Sequence, residues 1–342
     1  MSDQPGPDIG IGDSPPPRED PDADAISAPG RTIEFAIPAS PTPEFCAQIA
    51  FFRMSLDHLG GIYKKARLIA VFGDTETGSL PEAWLPHLDT VEIVWADPAE
   101  VAKIGAIAQG ELRLQVFSED ADVACLCDAD TVLMRPIPEI LDAMASEGAV
   151  LGTIAHGTPF RGRSSVEAWD EVATRLLDAP IPLDHRHTLV DPDNAAQSPR
   201  ARCPFYVNQG VLFGPPALFK ALLPRVRELR QALLEHYGEP FFAGQVAFAL
   251  TVHDTGAPHR ELPLRYNFPN DPLAERLHAD ELKDIAFLHY LRLNEFDRSR
   301  IFTTETEFNR FLRLPLTGSN LLFQRHVLEV TGGSYPWRGP AA

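Results

Sequence analysis

Short apolar runs alternate with longer segments of helical periodicity along the first part of the chain. Each run has the length and composition of a buried β-strand, and the segments between them place apolar residues on one face of a helix. This alternation is typical of a mostly parallel sheet flanked by helices, and we expect a Rossmann-like α/β fold. The predicted strands are residues 32–37, 67–72, 91–95 and 123–127, and the predicted helices are residues 43–59 and 99–117.

The pattern is less regular in the second part of the chain. Residues 205–214 predict a strand interrupted at Asn208-Gln209-Gly210, because glycine inside a strand often marks the close approach of a ligand or another backbone. Residues 180–202 crowd Asp, His, Pro and Arg together and predict a long loop near a site. Residues 285–291 predict a late buried strand that carries His289. The predicted helices here are residues 164–179, 216–236 and 241–252.

Both ends of the chain differ in composition from the middle. Residues 1–30 are rich in Pro, Gly, Asp and Ser and have almost no large apolar side chains, so we expect a disordered tail. Residues 331–342 are expected to be loosely ordered, although Tyr335 and Trp337 are suited to dock on the body. The sequence therefore predicts one domain, residues 31–330, between two tails.

The composition argues against several classes of protein. A formal net charge of −18 disfavours nucleic acid or an anionic membrane as the main partner, because both require basic surfaces. The N-terminus lacks a secretory pattern, and no segment approaches the roughly 20 apolar residues of a membrane span, so we expect a cytoplasmic protein without a transmembrane segment. The cysteines lack the spacing of zinc sites and are expected to be reduced core thiols. They are Cys46, Cys125, Cys127 and Cys203.

Two carboxylates directly follow the apolar strand at residues 123–127. In open α/β sheets, ligands bind beyond the carboxyl ends of the strands, and Asp128 and Asp130 lie at that edge. Side-chain alternation along an extended segment points both carboxylates the same way, where they repel unless a positive charge lies between them. A hard divalent cation that also binds substrate phosphates would remove this conflict. The alternative is that both are solvated loop residues.

Two sequence blocks occur in a recognisable order. In the first, Asp-x-Asp is followed by an apolar strand and a proline-containing turn, Cys127-Asp-Ala-Asp-Thr-Val-Leu-Met-Arg-Pro-Ile-Pro-Glu-Ile-Leu141. In the second, an aromatic residue precedes Asn, Gly and an apolar run, Tyr206-Val-Asn-Gln-Gly-Val-Leu-Phe213. The blocks resemble those of glycosyltransferase family 8, the glycogenin and lipopolysaccharide galactosyltransferase group, which has the GT-A fold. The resemblance covers residues 32–291, and it implies a nucleotide-binding half at residues 31–134 and a sugar and acceptor half at residues 135–330.

The resemblance also implies a set of site residues. In family 8, both aspartates and a late histidine coordinate manganese bound to the diphosphate of the sugar donor; here these are Asp128, Asp130 and His289. The implied cofactor is Mn²⁺, or Mg²⁺, and the implied donor is a nucleotide sugar, with a UDP-sugar expected. The implied residues for donor binding are Arg113, Asp128, Asn208, Gly210 and Arg292, and the implied catalytic residues that contact the sugar are Asn208 and Gln245.

The chain departs from the family pattern in two places. The late histidine of the family is usually followed by Gly and then a Lys near the diphosphate, and both are missing after His289. Arg292 or Arg298 can supply the charge with a different geometry, because guanidinium binds phosphate through two hydrogen bonds. The usual Asp-Gln pair of the family appears as Gly244-Gln245, which leaves the acceptor and the stereochemical outcome open.

These observations predict a metal-dependent glycosyltransferase. It would move a hexose from a nucleoside-diphosphate sugar to a hydroxyl group of a saccharide or glycolipid, with retention of anomeric configuration if the resemblance holds. A second interpretation is a haloacid-dehalogenase-like phosphatase, with Asp128 as nucleophile and Asp130 handling protons. A third is a nucleotide-sugar-binding module without activity, because a fold does not guarantee catalysis.

Overall fold

The computed structural model describes residues 30–76, 78–160, 163–191, 194, 201–238 and 242–337. The expected N-terminal tail, apart from Gly30, and residues 338–342 lie outside this range. Within the described residues, the model contains no helix that is long and apolar enough to cross a membrane.

A seven-stranded sheet forms the centre of the molecule, in the order β10-β6-β9-β4-β1-β2-β3. Neighbouring strands are parallel except on the two sides of β9, which is antiparallel to both β4 and β6. This sheet confirms the predicted α/β fold with a mostly parallel sheet. Its strands are β1 (Ile33–Ala39), β2 (Arg67–Phe72), β3 (Glu92–Trp95), β4 (Val123–Cys127), β6 (Val150–Ile154), β9 (Val207–Gly214) and β10 (His259–Glu261).

The remaining strands are short and form two small sheets. The three-stranded sheet has the order β11-β12-β5, and the two-stranded sheet pairs β7 with β8. These strands are β5 (Thr131–Leu133), β7 (His185–Arg186), β8 (Arg202–Cys203), β11 (Phe268–Pro269) and β12 (Phe287–His289).

Helices cover both faces of the large sheet, because its strands are apolar on both sides. Phe35 and Cys125 belong to the core that also contains side chains of α1, α5 and α12, whereas Ala36 and Ala124 belong to the core with α6, α7 and α8. Successive residues of a strand thus alternate between two cores. The helices are α1 (Pro43–Leu59), α2 (Gly61–Lys64), α3 (Pro98–Ile104), α4 (Ile107–Leu112), α5 (Pro138–Glu147), α6 (Ser165–Leu177), α7 (Pro216–Tyr237), α8 (Ala243–Thr255), α9 (Pro272–Leu277), α10 (Ala279–Leu282), α11 (Glu305–Phe311) and α12 (Gly318–Thr331).

Several predicted elements have different boundaries in the structure. The single helix predicted at residues 99–117 is divided at Gly105, whose φ of 59° ends α3, and a short 3₁₀ helix follows α4. The strand β9 runs through Asn208-Gln209-Gly210, but its pairing with β6 is irregular there, as the predicted interruption indicates: Leu212 pairs with Gly152, whereas Val207 pairs with Ile154. The predicted late strand at residues 285–291 is the three-residue β12, because it pairs only with short strands.

The segment after α12 packs on the body through two aromatic side chains. Trp337 is 8% exposed, and its ring lies 5.4 Å from that of Trp84 and 5.7 Å from that of Phe302. The Tyr335 hydroxyl donates to the Phe302 carbonyl. Tyr335 and Trp337 thus dock on the body, as the sequence allows, because burial of aromatic rings is favourable.

Candidate metal and ligand site

A tight turn between β4 and β5 presents the two aspartates. The Asp128 amide donates to the Gly210 carbonyl on β9 at 2.9 Å, which continues the sheet pairing by one residue. The Thr131 amide and hydroxyl both donate to the Asp128 carbonyl, and the Tyr290 amide donates to the Asp130 carbonyl at 2.9 Å. Backbone bonds from two different sheets therefore hold the turn, and the carboxylates project from a turn and not from the extended segment that the sequence predicts.

One carboxylate oxygen of Asp128, one of Asp130 and one ring nitrogen of His289 lie within 4.8 Å of one another. His289 is the last residue of β12, and its register partner is Thr131 on β5. Its Nε2 lies 3.2 Å from Oδ1 of Asp130. The structure thus brings the three predicted metal ligands together, although His289 is distant from the aspartates in sequence.

Asn267 orients the imidazole of His289. Its Oδ1 lies 3.0 Å from Nδ1 of His289, so it accepts the proton of that nitrogen and directs Nε2 towards the aspartates. Its Nδ2 donates to the carbonyl and to Oδ1 of Asn208, both at 3.2 Å. Asn267 is fully buried and therefore links His289 to β9 without contact with solvent.

Gly210 allows the close approach of β9 to the imidazole. A Cβ at this position would overlap Cε1 of His289 and would lie 2.7 Å from Nδ1 and 2.8 Å from Oδ1 of Asn208. The Gly210 amide donates to that same Oδ1 at 2.8 Å. Packing around His289 therefore requires glycine at position 210. The side-chain oxygen of Asn208 accepts hydrogen bonds from the Gly210 amide and from Asn267.

Two arginines flank the carboxylates. Nη1 of Arg113, which is buried, donates to the Cys127 carbonyl at 2.7 Å and lies 3.2 Å from Oδ1 of Asp128. Nε of Arg113 is buried without a hydrogen-bond partner among the described residues. On the other side, Nε of Arg298 lies 3.2 Å from Oδ2 of Asp130. Each aspartate thus has its own guanidinium neighbour.

The surroundings shift the charge states of the three ligands in different directions. Burial raises the pKa of Asp128 above its usual range, against the opposing effects of Arg113 and His289. Burial acts on Asp130 in the same way, but His289 and Arg298 outweigh it and lower the pKa of that carboxyl. Burial alone would lower the pKa of His289, but the two aspartates outweigh this effect and raise it. The surroundings therefore favour the charged forms of Asp130 and His289 and disfavour the charged form of Asp128.

The donor set fits a divalent cation such as Mn²⁺. Carboxylate oxygens and imidazole nitrogen are both ligands of this ion, and a cation would replace the imidazole proton as the positive charge between the carboxylates. The hydrogen bond from Nδ1 to Asn267 leaves Nε2 as the coordinating nitrogen. The ligands lie at the edge of a cavity, so remaining positions of the ion would be open to a substrate.

A cavity of about 1100 Å³ extends from the two aspartates across the carboxyl edge of the large sheet. Its walls include Arg113, Asn208, Gln245, Arg292 and Arg298, so all the predicted site residues except Gly210, which lies behind His289, line it. Nε of Arg292 is paired with Asp271 at 2.9 Å, whereas Arg298 is paired with Asp130. Of the two arginines considered for the missing lysine, Arg298 is the one that contacts a predicted metal ligand.

Sequence reasoning missed Asn267 and the residues that shape the wall between α3 and α4. Asn267 lies in no motif, and its role depends on contacts with distant residues. The break at Gly105 brings Ile104, Ala106 and Ile107 to the cavity, which a continuous helix would not do. Gly105 itself was a signal available in the sequence, because glycine commonly ends helices with a positive φ, as it does here.

Comparison with known proteins gives fold neighbours. The sequence matches no family model and no curated protein. In structure, the chain is similar to galactosyltransferase LgtC in complex with donor and acceptor sugar analogues, with 13% identity over 85% of this chain and 99% of that chain and a TM-score of 0.46. It is also similar to the apo bifunctional glycosyltransferase WbbM (11% identity, 91% of this chain, 51% of that chain, TM-score 0.49). A third similar structure is apo mouse xyloside xylosyltransferase 1 (12% identity, 76% of this chain, 97% of that chain, TM-score 0.45).

All three neighbours are glycosyltransferases. At such identities the likeness concerns the arrangement of the chain and not its substrates.

Proposed function

We propose that this protein is a metal-dependent glycosyltransferase that transfers a hexose from a nucleoside-diphosphate sugar, with UDP as the expected nucleotide, to a hydroxyl group of a saccharide or glycolipid. The observation that carries the proposal is the convergence of Asp128, Asp130 and His289 at the base of a cavity of about 1100 Å³. A site of this size accommodates a nucleotide sugar. In a chain of net charge −18, a diphosphate needs local positive charge, which a cation and the arginines of the cavity supply.

Three ligands and two arginines would bind the cation and the diphosphate. Asp128, Asp130 and His289 would hold Mn²⁺ or Mg²⁺, which when bound would offset the negative charge that develops on the departing diphosphate. Arg113 keeps a guanidinium beside Asp128 in the cavity wall, where it can also donate to a phosphate oxygen. Arg298 would exchange its contact with Asp130 for the diphosphate when a cation takes its place.

The sugar side would be built by Asn208 and Gln245, which both line the cavity. In the transfer, the bond between the anomeric carbon and the diphosphate oxygen breaks, and a bond forms between that carbon and the acceptor oxygen. The acceptor hydroxyl proton leaves with the diphosphate or to solvent. Amide side chains can orient the sugar but cannot accept the proton, so their proposed role is to position the reacting carbon. Retention of configuration follows from the family resemblance and belongs to the same proposal.

The test is turnover of UDP-glucose, UDP-galactose and UDP-N-acetylglucosamine, with water or a panel of saccharides and glycolipids as acceptor, with and without Mn²⁺. Asp130→Ala should lower turnover by about a hundredfold or more, by analogy with the loss of one preorganised electrostatic group. Asp142→Asn, which removes a carboxylate that is 75% exposed, is the matched control and should retain full turnover. Full activity of Asp130→Ala would overturn the proposal.

Two further assays separate the other interpretations. A phosphatase with Asp128 as nucleophile would release phosphate from a phosphomonoester and would be trapped by beryllium fluoride as an aspartyl-phosphate mimic. The guanidinium of Arg113 beside Asp128 is compatible with phosphate, but the aspartate follows β4 in the interior of the sheet, and not the first strand as in such phosphatases. Tight binding of UDP-sugars with neither hydrolysis nor transfer would identify an inactive binding module.

A further inference from the structure

His156 lines the cavity but belongs to none of the predicted site residues. It is the second residue after β6, and the backbone before it is fixed by the Ala155 amide, which donates to the Tyr206 carbonyl at 2.8 Å. His289, Arg292 and Asn208 line the same cavity. His156 is not a member of the group whose donor atoms lie within 4.8 Å of one another, so it is distinct from the metal ligands.

Thr188 fixes the protonation pattern of this imidazole. Its Oγ1 lies 3.0 Å from Nδ1 of His156, and the same hydroxyl donates to the Ile154 carbonyl at 3.4 Å. The carbonyl can only accept and the hydroxyl has one proton to donate, so both hydrogen bonds form together when Nδ1 carries a proton and donates it to Oγ1. The other ring nitrogen, Nε2, then carries a lone pair and acts as an acceptor.

The backbone around Thr188 is itself held in place. The Leu189 amide donates to the His156 carbonyl at 3.1 Å, and Nε2 of His278 lies 2.9 Å from the Thr188 carbonyl. Within the predicted loop at residues 180–202, of which residues 192–193 and 195–200 lie outside the described range, the first bond ties Leu189 to His156 and the second ties Thr188 to His278. The loop therefore contributes to the site through Thr188, which sets the orientation of His156.

Nε2 of His156 is buried and has no hydrogen-bond partner within the part of the chain that the structure describes. Buried polar atoms are almost always paired, so an acceptor left open beside a cavity indicates a donor that arrives with a ligand. Burial lowers the pKa of His156 to about 3, and His289 and Arg292 add to this effect, so the ring stays neutral.

We propose that His156 is a specificity-determining residue that accepts a hydrogen bond from a hydroxyl group of the donor sugar, with Thr188 as its positioning residue. This inference rests on the proposed function. The direction of the hydrogen bond selects the partner: an ionised diphosphate has only acceptor oxygens and cannot satisfy Nε2, whereas a sugar hydroxyl can donate to it. His156 should therefore act on the sugar and leave binding of the nucleotide unchanged.

The experiment compares binding of UDP and of UDP-hexose by calorimetry in the presence of Mn²⁺. The UDP-hexose is the one that the wild-type protein binds most tightly among UDP-glucose, UDP-galactose and UDP-N-acetylglucosamine. His156→Phe, which keeps a ring but removes both nitrogens, should weaken UDP-hexose about tenfold, the effect of one lost hydrogen bond with a buried partner, and should change UDP by less than about twofold. His156→Gln, whose amide oxygen can replace the acceptor, should recover part of the loss.

Two comparisons separate a contact with the sugar from a structural effect. His187 is the matched control, because its Nε2 is likewise buried without a hydrogen-bond partner among the described residues and its Nδ1 lies 3.0 Å from the Ala155 carbonyl, but it does not line the cavity. His187→Phe should leave the ratio of UDP-hexose to UDP affinity unchanged. Thr188→Val should reproduce the loss seen with His156→Phe, and Thr188→Ser should restore it.

Deoxygenated donors identify the hydroxyl. Among UDP-hexoses that each lack one hydroxyl, one should bind the wild-type protein about tenfold more weakly but bind His156→Phe as well as the complete donor does. Equal losses for UDP and UDP-hexose in a folded His156→Phe protein, or no loss for either, would overturn the role of His156 and leave the proposed function intact. If the wild-type protein binds neither UDP nor any UDP-hexose with Mn²⁺, the proposed function fails and this inference fails with it.

Discussion

Asp128 and Asp130 follow an interior strand of the seven-stranded sheet, whereas His289 ends a three-residue strand of the small sheet. On the aspartate side, the turn is fixed by backbone hydrogen bonds to β9 and β12, and Arg113 is held by the Cys127 carbonyl. On the histidine side, the orientation of the ring depends on a side chain, Asn267, and on the absence of a Cβ at Gly210. One side is thus determined by backbone geometry and the other by side-chain packing.

This difference teaches where the site is sensitive to substitution. Backbone hydrogen bonds survive most changes of side chain, so the position of the aspartates should tolerate changes in neighbouring residues. The imidazole has no such support, and small changes around it should move a metal ligand without unfolding the protein. The first two of the following predictions concern the histidine side, and the third concerns the arginine paired with Asp130.

The largest effect is expected at Asn267. Asn267→Leu removes the acceptor for Nδ1 of His289, and loss of such an outer partner typically costs 10–100-fold in metal affinity. Asn267→Asp keeps an oxygen acceptor for the ring and should recover most of the affinity. Calorimetric titration of Mn²⁺ measures both variants. Identical Mn²⁺ affinity in Asn267→Leu and the wild type would show that the ring is oriented by backbone alone, as the aspartates are.

A smaller effect is expected at Gly210. Gly210→Ala places a Cβ against His289 and should lower the free energy of unfolding by about 1–3 kcal/mol through overpacking, and it should also weaken Mn²⁺ binding. Gly214→Ala is a matched control in the same strand, since its Cβ would lie 2.8 Å from Cζ of Phe219, away from the site. Chemical denaturation and Mn²⁺ titration should show both variants destabilised but only Gly210→Ala weakened in metal binding. Equal metal affinity in the two variants would contradict the prediction.

The smallest effect is expected at Arg298, and its sign depends on the ligand. Arg298→Ala removes the cation paired with Oδ2 of Asp130, so Mn²⁺ alone should bind as tightly as in the wild type or more tightly. Binding of UDP with Mn²⁺ should weaken about tenfold, because a charge-assisted contact to the diphosphate is lost. Arg300→Ala, an exposed arginine paired with Glu307, is the control and should change neither. A parallel loss of Mn²⁺ and UDP binding would instead assign Arg298 a structural role.

Most of the large sheet could be predicted from the sequence. The strands at residues 33–39, 67–72 and 123–127 are mostly apolar and buried, which is the signature of a strand covered on both faces, and the edge strand at residues 92–95 is shorter and less buried. The four cysteines are free and buried, as their spacing predicts. The small sheet could not be predicted with the same accuracy, because strands of two or three residues are too short to show a period.

The helix predicted at residues 99–117 shows a different limit. Its apolar spacing continues across Gly105, so periodicity alone joins α3 and α4. The break occurs because Gly105 adopts a left-handed φ, and it places residues 104–107 at the cavity. A pattern of burial reports which residues avoid water but not where a glycine changes the direction of the chain.

The sequence by itself determined the α/β class, the strand that ends in two carboxylates, and the residues that resemble a nucleotide-sugar site. Each of these depends on neighbours along the chain, where side-chain period and strand ends impose a local order. Only the tertiary structure placed His289 beside Asp130, oriented it through Asn267, and directed Nδ1 of His156 to Thr188. These contacts join segments far apart in sequence, and their geometry follows from the register of β5 with β12 and from packing against β9, which no local pattern encodes.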